Sequence, residues 1–216
     1  CSSPSFDPVL DEIAKAALRF LARHQAREDD ASVDAEPGKI LHELRTGEMA
    51  NCREIPFIPY YGSVDATPLF VVLLDRYVAW TGDADLADSL WENALAALRW
   101  VRGAADLDGD GFVEYRRRSP AGLSNQGWKD SSDCVFHAGG QLAKGPIALV
   151  EVQAYAFAAM KSGARLARLR GEDTLARELD GDAANLQLRF ERSFWCESLG
   201  TYALALDGAK APFSRA

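Results

Sequence analysis

Between residues 146 and 195 the chain reads PIALVEVQAYAFAAMKSGARLARLRGEDTLARELDGDAANLQLRFERSFW. Ile147, Val150, Ala154, Phe157 and Ala158 recur at helical spacing, Pro146 suits a first helical position, and Gly171 suits a left-handed residue just past a helix end. The spacing predicts one helix from Pro146 to about Arg170. A second, from Asp173 to about Trp195, carries Leu175, Leu179, Leu186, Phe190 and Phe194 inward. The join, Arg170-Gly171-Glu172-Asp173, is short enough to force the two antiparallel. The unit is a helical hairpin.

The same signals recur upstream. Thr67-Pro68 opens a helix that runs to Trp80 and ends at Gly82. The next, from 84 to 102, has Leu86, Leu90, Ala94, Leu98 and Val101 on one face. Asp7-Pro8 opens the first, with Val9, Ile13, Ala17, Phe20 and Leu21 apolar, ending near Arg27. No segment alternates as a strand does, so the expected class is all-α with five helices and no sheet. Tight turns at 81–83 and 170–173 alternate with long connections at 28–66 and 104–145 and with the tail after 196. Antiparallel helices then put both tight turns at one end and the long segments at the other, where function is expected. A helical solenoid would need a fixed repeat, and none is seen.

The 216 residues suit one domain, 1–216. A net charge of −8 argues against nucleic acid as partner and leaves a neutral ligand open. The longest apolar run, Leu69 to Leu74, falls far short of the ~20 residues of a membrane span. Cys1, Cys52, Cys134 and Cys196 stand far apart, which fits reduced thiols in a cytoplasmic protein. The chain begins without Met and stops without a terminal element, so it reads as a fragment.

Three loop clusters concentrate aromatic, acidic, His and Arg residues. They are 38–49 (with His42, Glu43 and Arg45), 56–68 (Pro56-Phe57 through Tyr60, Tyr61 and Asp65) and 106–133 (with Glu114, Trp128, Lys129, Asp130 and Asp133). A sugar site needs that mixture: aromatic faces stack on pyranose C–H groups, and charged groups bond the hydroxyls. Cleaving a glycosidic bond then takes two carboxyl groups.

The runs Lys39-Ile40-Leu41-His42-Glu43-Leu44-Arg45, Tyr60-Tyr61-Gly62-Ser63-Val64-Asp65-Ala66-Thr67-Pro68-Leu69, Asn125-Gln126-Gly127-Trp128-Lys129-Asp130-Ser131 and Gly145-Pro146-Ile147-Ala148-Leu149-Val150-Glu151-Val152-Gln153-Ala154-Tyr155 resemble the bacterial glycogen-debranching (amylo-α-1,6-glucosidase-like) family. That family is related to glucoamylase, trehalase and the processing α-glucosidases. The resemblance covers nearly all of residues 6 to 206. It implies an (α/α)6 toroid of about twelve helices, about five of them in this chain, after a β-rich domain that the chain lacks. It also implies an inverting hydrolase of α-linked glucose oligosaccharides.

In trehalase-like relatives a Gly-Trp-Asp segment bears the general acid. The counterpart here is Gly127-Trp128-Lys129-Asp130, offset by Lys129, so Asp130 is the expected acid, with Asp133 and Glu114 as alternatives. The base lies downstream in these families, and without it the chain is expected to be inactive. Trp128, Tyr60 and Tyr61 are expected to stack on sugar. His42, Glu43, Arg45, Asp65, Lys129 and Asp133 are expected to bind hydroxyls, although core packing of the tyrosines and a Glu43–Arg45 ion pair stay open. The alternative class is a non-catalytic carbohydrate-binding or scaffold protein. An open edge of the barrel is expected to self-associate.

No metal or cofactor is expected. His42-Glu43 lacks the second His of a zinc protease motif, because position 46 is Thr. His24 reads as structural. Asp106-Leu107-Asp108-Gly109-Asp110-Gly111 resembles the front of a calcium loop, but the twelfth position is Arg117 rather than Glu. A Gly-rich turn is the better reading, with a calcium-stabilised module as the rival.

Overall fold

The computed structural model describes residues 8–52, 54, 58–137, 139–210 and 212–213. The expected cap Asp7, the Pro56-Phe57 pair, Cys1 and the terminal Ser214-Arg215-Ala216 lie outside them. Helices dominate: α1 (Pro8–Arg23), α2 (Glu48–Asn51), α3 (Ala66–Thr81), α4 (Ala84–Ser89), α5 (Trp91–Arg99), α6 (Val150–Leu169) and α7 (Asp173–Phe194). None among the described residues is long and apolar enough to cross a membrane. Cys52, Cys134 and Cys196 are free thiols.

The 146–195 hairpin forms, with α6 packed along α7 and against α3. Leu179, Leu186 and Phe194 of α7 are buried as expected, and so are all five residues assigned inward between Leu86 and Val101. That third helix is nevertheless split. It breaks at Leu90 between α4 and α5, then widens into a π-turn at Trp100–Ala104.

Two faces differ from expectation. In α6 the buried residues are Val152, Gln153, Ala156, Ala159, Met160, Ser162, Gly163, Ala164, Leu166 and Ala167, and Ala154 is exposed. The helix is covered by α3, α5 and α7 together, so its core side is a broad strip of small residues rather than one large-residue stripe. On α1 the side turned to α3 carries Leu18 and Ala22, while Val9, Leu10, Ile13 and Phe20 are exposed. Apolar residues run around more of α1 than one neighbour covers. The helix also stops at Arg23 rather than Arg27, because Ala26 leaves it to exchange backbone hydrogen bonds with Lys39 and Gly38, both at 2.9 Å.

The expectation of no sheet is wrong in detail. β1 (Ala148–Leu149), β4 (Ala205–Leu206) and β5 (Pro212–Phe213) form an antiparallel sheet in the order β1-β4-β5, and β2 (Trp195–Cys196) pairs with β3 (Thr201–Tyr202). Each strand has two residues, too few to leave an alternating signal. β1 also displaces the expected helix start, so α6 begins at Val150 and not at Pro146.

The two tight turns do share one end. Arg170, after α6, forms an ion pair with Asp88 of α4, just past Gly82, whose backbone is left-handed at φ 72°. At the other end the long connections meet.

Candidate functional site

Asp34 is the knot that ties those connections together. Its Oδ1 accepts hydrogen bonds from the backbone N–H of Arg118 (2.7 Å) and Ser119 (3.0 Å), and its Oδ2 accepts from the Tyr60 hydroxyl (2.9 Å) and Gln126 Nε2 (3.2 Å). One buried carboxylate thus gathers four donors from two of the long connections, Tyr60 from 28–66 and the other three from 104–145. Arg118 adds an ion pair to Asp29 at 2.6 Å and a longer one to Glu36 at 3.3 Å. Lys39 donates to the Asp34 carbonyl at 3.0 Å and lies over the Trp100 ring, and desolvation pushes its pKa down. These groups line a polar cavity of about 280 Å³.

Tyr60 and Tyr61 belong to this interior, which corrects their expected role as sugar platforms. Tyr60 is 1% exposed, and its hydroxyl accepts from the Leu123 amide at 2.7 Å while donating to Asp34. Tyr61 is 7% exposed and donates to the His24 carbonyl at 2.7 Å. A ring with both faces packed and its hydroxyl engaged cannot stack on a sugar.

Beyond the knot the third loop runs between the starts of α3 and α6. Val64 donates its amide to the Gln126 carbonyl at 2.8 Å on the α3 side. On the α6 side Gly127 presses against Leu149, where a Cβ would come within 2.4 Å of the Leu149 side chain, and it lies beside Glu151. A side chain at Gly127 would force the Leu149 side chain to shift. Tyr115 donates to Asn125 Oδ1 (2.9 Å), and Asn125 Nδ2 donates to the Ser131 carbonyl (2.5 Å), which fixes the turn.

Past Gly127 the loop opens to solvent. Trp128 is 66% exposed, with the Lys129 ammonium 5.3 Å from its ring centre, and Asp130 and Asp133 are exposed. Asp65, at the start of α3, does not cap the helix. Ser63 does that by accepting from the Ala66 amide at 3.2 Å, and it donates to Asp65 Oδ1 at 2.5 Å. Glu43 and Arg45 form the ion pair that would keep them from a ligand, and His42 is exposed with its ring edge-on to Tyr60 at 5.9 Å.

Glu151 was missed by the reading of the sequence. Burial pushes its pKa up, opposed by a hydrogen bond from its own backbone amide and by the Lys129 charge, while Asp65 adds slightly to the rise. An acid in the first turn of a helix is so common that nothing marked this one. Glu114, an alternative acid, is committed elsewhere: its side chain is fully buried, accepts from the Leu107 amide at 3.2 Å and pairs with Lys210. Lys210 also reaches Asp108 (2.9 Å) and Asp110 (2.6 Å), so an ammonium group sits among the carboxylates of the calcium-like loop. Asp106 accepts from the Gly109 and Gly111 amides at 2.8 and 2.9 Å, the Gly-rich turn that was expected.

No family model matches the chain, and no curated protein matches it. Among solved structures it is similar to a GH78 family rhamnosidase of Bacillus sp. GL1, with a TM-score of 0.63 at 15% sequence identity. The likeness covers 94% of this chain and 18% of the rhamnosidase, so the chain spans about a fifth of the protein it resembles. What the two share is a fold, a mostly helical one of the kind found in part of a glycoside hydrolase. The resemblance to the debranching family rests on the sequence motifs alone.

Proposed function

We propose that the chain is the sugar-binding, acid-bearing part of an (α/α)-toroid glycoside hydrolase of the debranching type, which cleaves α-linked glucose oligosaccharides with inversion. One observation carries this reading: the Trp128–Asp130 loop is fastened between the starts of two adjacent helices, each bearing a carboxylate, Asp65 on α3 and Glu151 on α6. An exposed indole beside several carboxyl groups suits a hydroxyl-rich, uncharged ring. In this reading Trp128 stacks on the sugar, Asp65 and Lys129 bind hydroxyls, and Asp130 protonates the leaving oxygen. The resemblance assigns the base to no residue of this chain. The exposed apolar stripe of α1 supports self-association at an open helical edge.

The test is an NMR titration of the isotope-labelled chain with maltotriose and isomaltotriose. The Trp128 indole N–H should shift on saturation, and Trp128→Ala should remove binding. An unmoved indole with either sugar overturns the reading.

The exposure of Asp130 favours a second reading, a carbohydrate-binding part without catalysis, because an acid working near neutrality needs its pKa raised by burial or by a neighbouring carboxylate. The Asp130 carboxyl resonance separates the two. A titration midpoint near neutrality in the maltotriose complex supports the acid, and one in the ordinary carboxylate range supports binding alone.

A further inference from the structure

The polar cavity beside Asp34 carries four carboxylates on its wall, and protein donors engage every one of them. Asp34 has the four donors already described. Asp29 is gripped by Arg118 through Nη1 and Nη2, each at 2.6 Å. Glu36 accepts from Trp100 Nε1 at 2.6 Å and from Arg118 at 3.3 Å. Glu114 is held by the Leu107 amide and by Lys210. The acids are all engaged.

Two of the cations are not. Lys39 is 5% exposed, and among the described residues its ammonium donates only to the Asp34 carbonyl, which leaves two of its three N–H groups over. The Trp100 ring beneath it, 5.6 Å to the centre, offers a π face and no lone pair. Burial pushes the Lys39 pKa down, and the charges of Glu36 and Asp34 offset that only in part. Arg116 is on the same wall, is exposed, and makes no hydrogen bond or ion pair among the described residues. With Lys210 on Glu114, positive and negative groups around the cavity are equal in number, so no net charge repels an anion.

We infer that this cavity binds a small carboxylate, held by Lys39 and Arg116. What the wall has left over is donors, so the ligand must bring acceptors. A carboxylate brings two charged oxygens and supplies the anion that a buried ammonium needs. At about 280 Å³ the cavity lies near the lower end of small-molecule sites, ~300 Å³, which suits a single small acid rather than a chain. Trp128 is not on its wall, so the inference goes beyond the sugar reading and stands apart from it.

Two indoles report separately on the two places, Trp100 on the cavity wall and Trp128 on the open loop. The test titrates the whole isotope-labelled chain by NMR at fixed ionic strength with acetate, with D-glucuronate and with its uncharged isostere D-glucuronamide. The Trp100 indole N–H should shift and saturate with at least one of the two acids. Glucuronamide should bind at least about tenfold more weakly than the acid that saturates. Arg116→Gln and Lys39→Met should each lose about tenfold for that acid and leave glucuronamide nearly unchanged.

Amide spectra establish that each variant is folded; if Lys39→Met is not, the exposed Arg116→Gln carries the test. A Trp100 indole unmoved by both acids overturns the inference, and so does a shift confined to Trp128. Equal affinity for acid and amide, or wild-type affinity in Arg116→Gln, overturns it as well. None of these results touches the maltotriose test of the open loop.

Discussion

Asp34 and Asp130 stand on the same system of loops and have opposite surroundings. Asp34 is 2% exposed and accepts four hydrogen bonds, three of them from residues more than eighty positions away, whereas Asp130 is exposed on its loop. The aromatics divide in the same way: Tyr60 is sealed inside and Trp128 stands out in solvent. The motifs that look alike in sequence therefore do two jobs. One set builds a rigid rim, and a smaller set is left free on it to meet a ligand.

The sharpest way to break this division is Asp34→Ala. It leaves four donors without their acceptor and should cost at least about 3 kcal/mol in urea unfolding. Asp130→Ala should change stability by about 0.5 kcal/mol or less. Equal costs would erase the distinction between rim and free loop.

Next in size is Lys210→Met. It strands the fully buried Glu114 and should cost about 2 kcal/mol, reduced from a wholly buried pair because Lys210 is itself partly exposed. With the lysine present, EDTA should leave the melting temperature unchanged. A drop on adding EDTA would mean that an ion, and not the ammonium, holds that loop.

The smallest effect has the opposite sign. Burial raises the folded-state pKa of Glu151, so its contribution to stability is fully present below the unfolded value of ~4.3 and is lost as pH rises through the folded one. Glu151→Gln cannot ionise, so it should melt about 1–3 °C above the wild type at pH 7, with the gap closing toward pH 4. A variant that melts lower at pH 7 would make Glu151 part of the rim.

Much of the fold was legible because long periodic segments such as 173–194 carry their own signal and because Gly82 and Gly171 mark the turns. The reading faltered where neighbours decide. The core side of α6 is set by three surrounding helices, and Ala156 or Ala164 in isolation does not announce which of them it faces. Two-residue strands such as Ala148–Leu149 exist only because Leu206 and Ala205 lie opposite. The site was legible as a set of loops but not residue by residue. Tyr60 and Trp128 are both loop aromatics, and only the fold tells which is enclosed; Glu151 looks like any acid in a helix's first turn.

The backbone at Asp34 is left-handed, at φ 54°, a conformation that side chains other than those of Asn and Asp enter rarely. Its carboxylate must also offer lone pairs to every group around it. Glycine would suit the backbone but accepts nothing, asparagine would turn an NH2 toward other donors, and glutamate would place its oxygens a carbon too far away. Two unrelated demands intersect at one position, and of the twenty amino acids aspartate alone satisfies both.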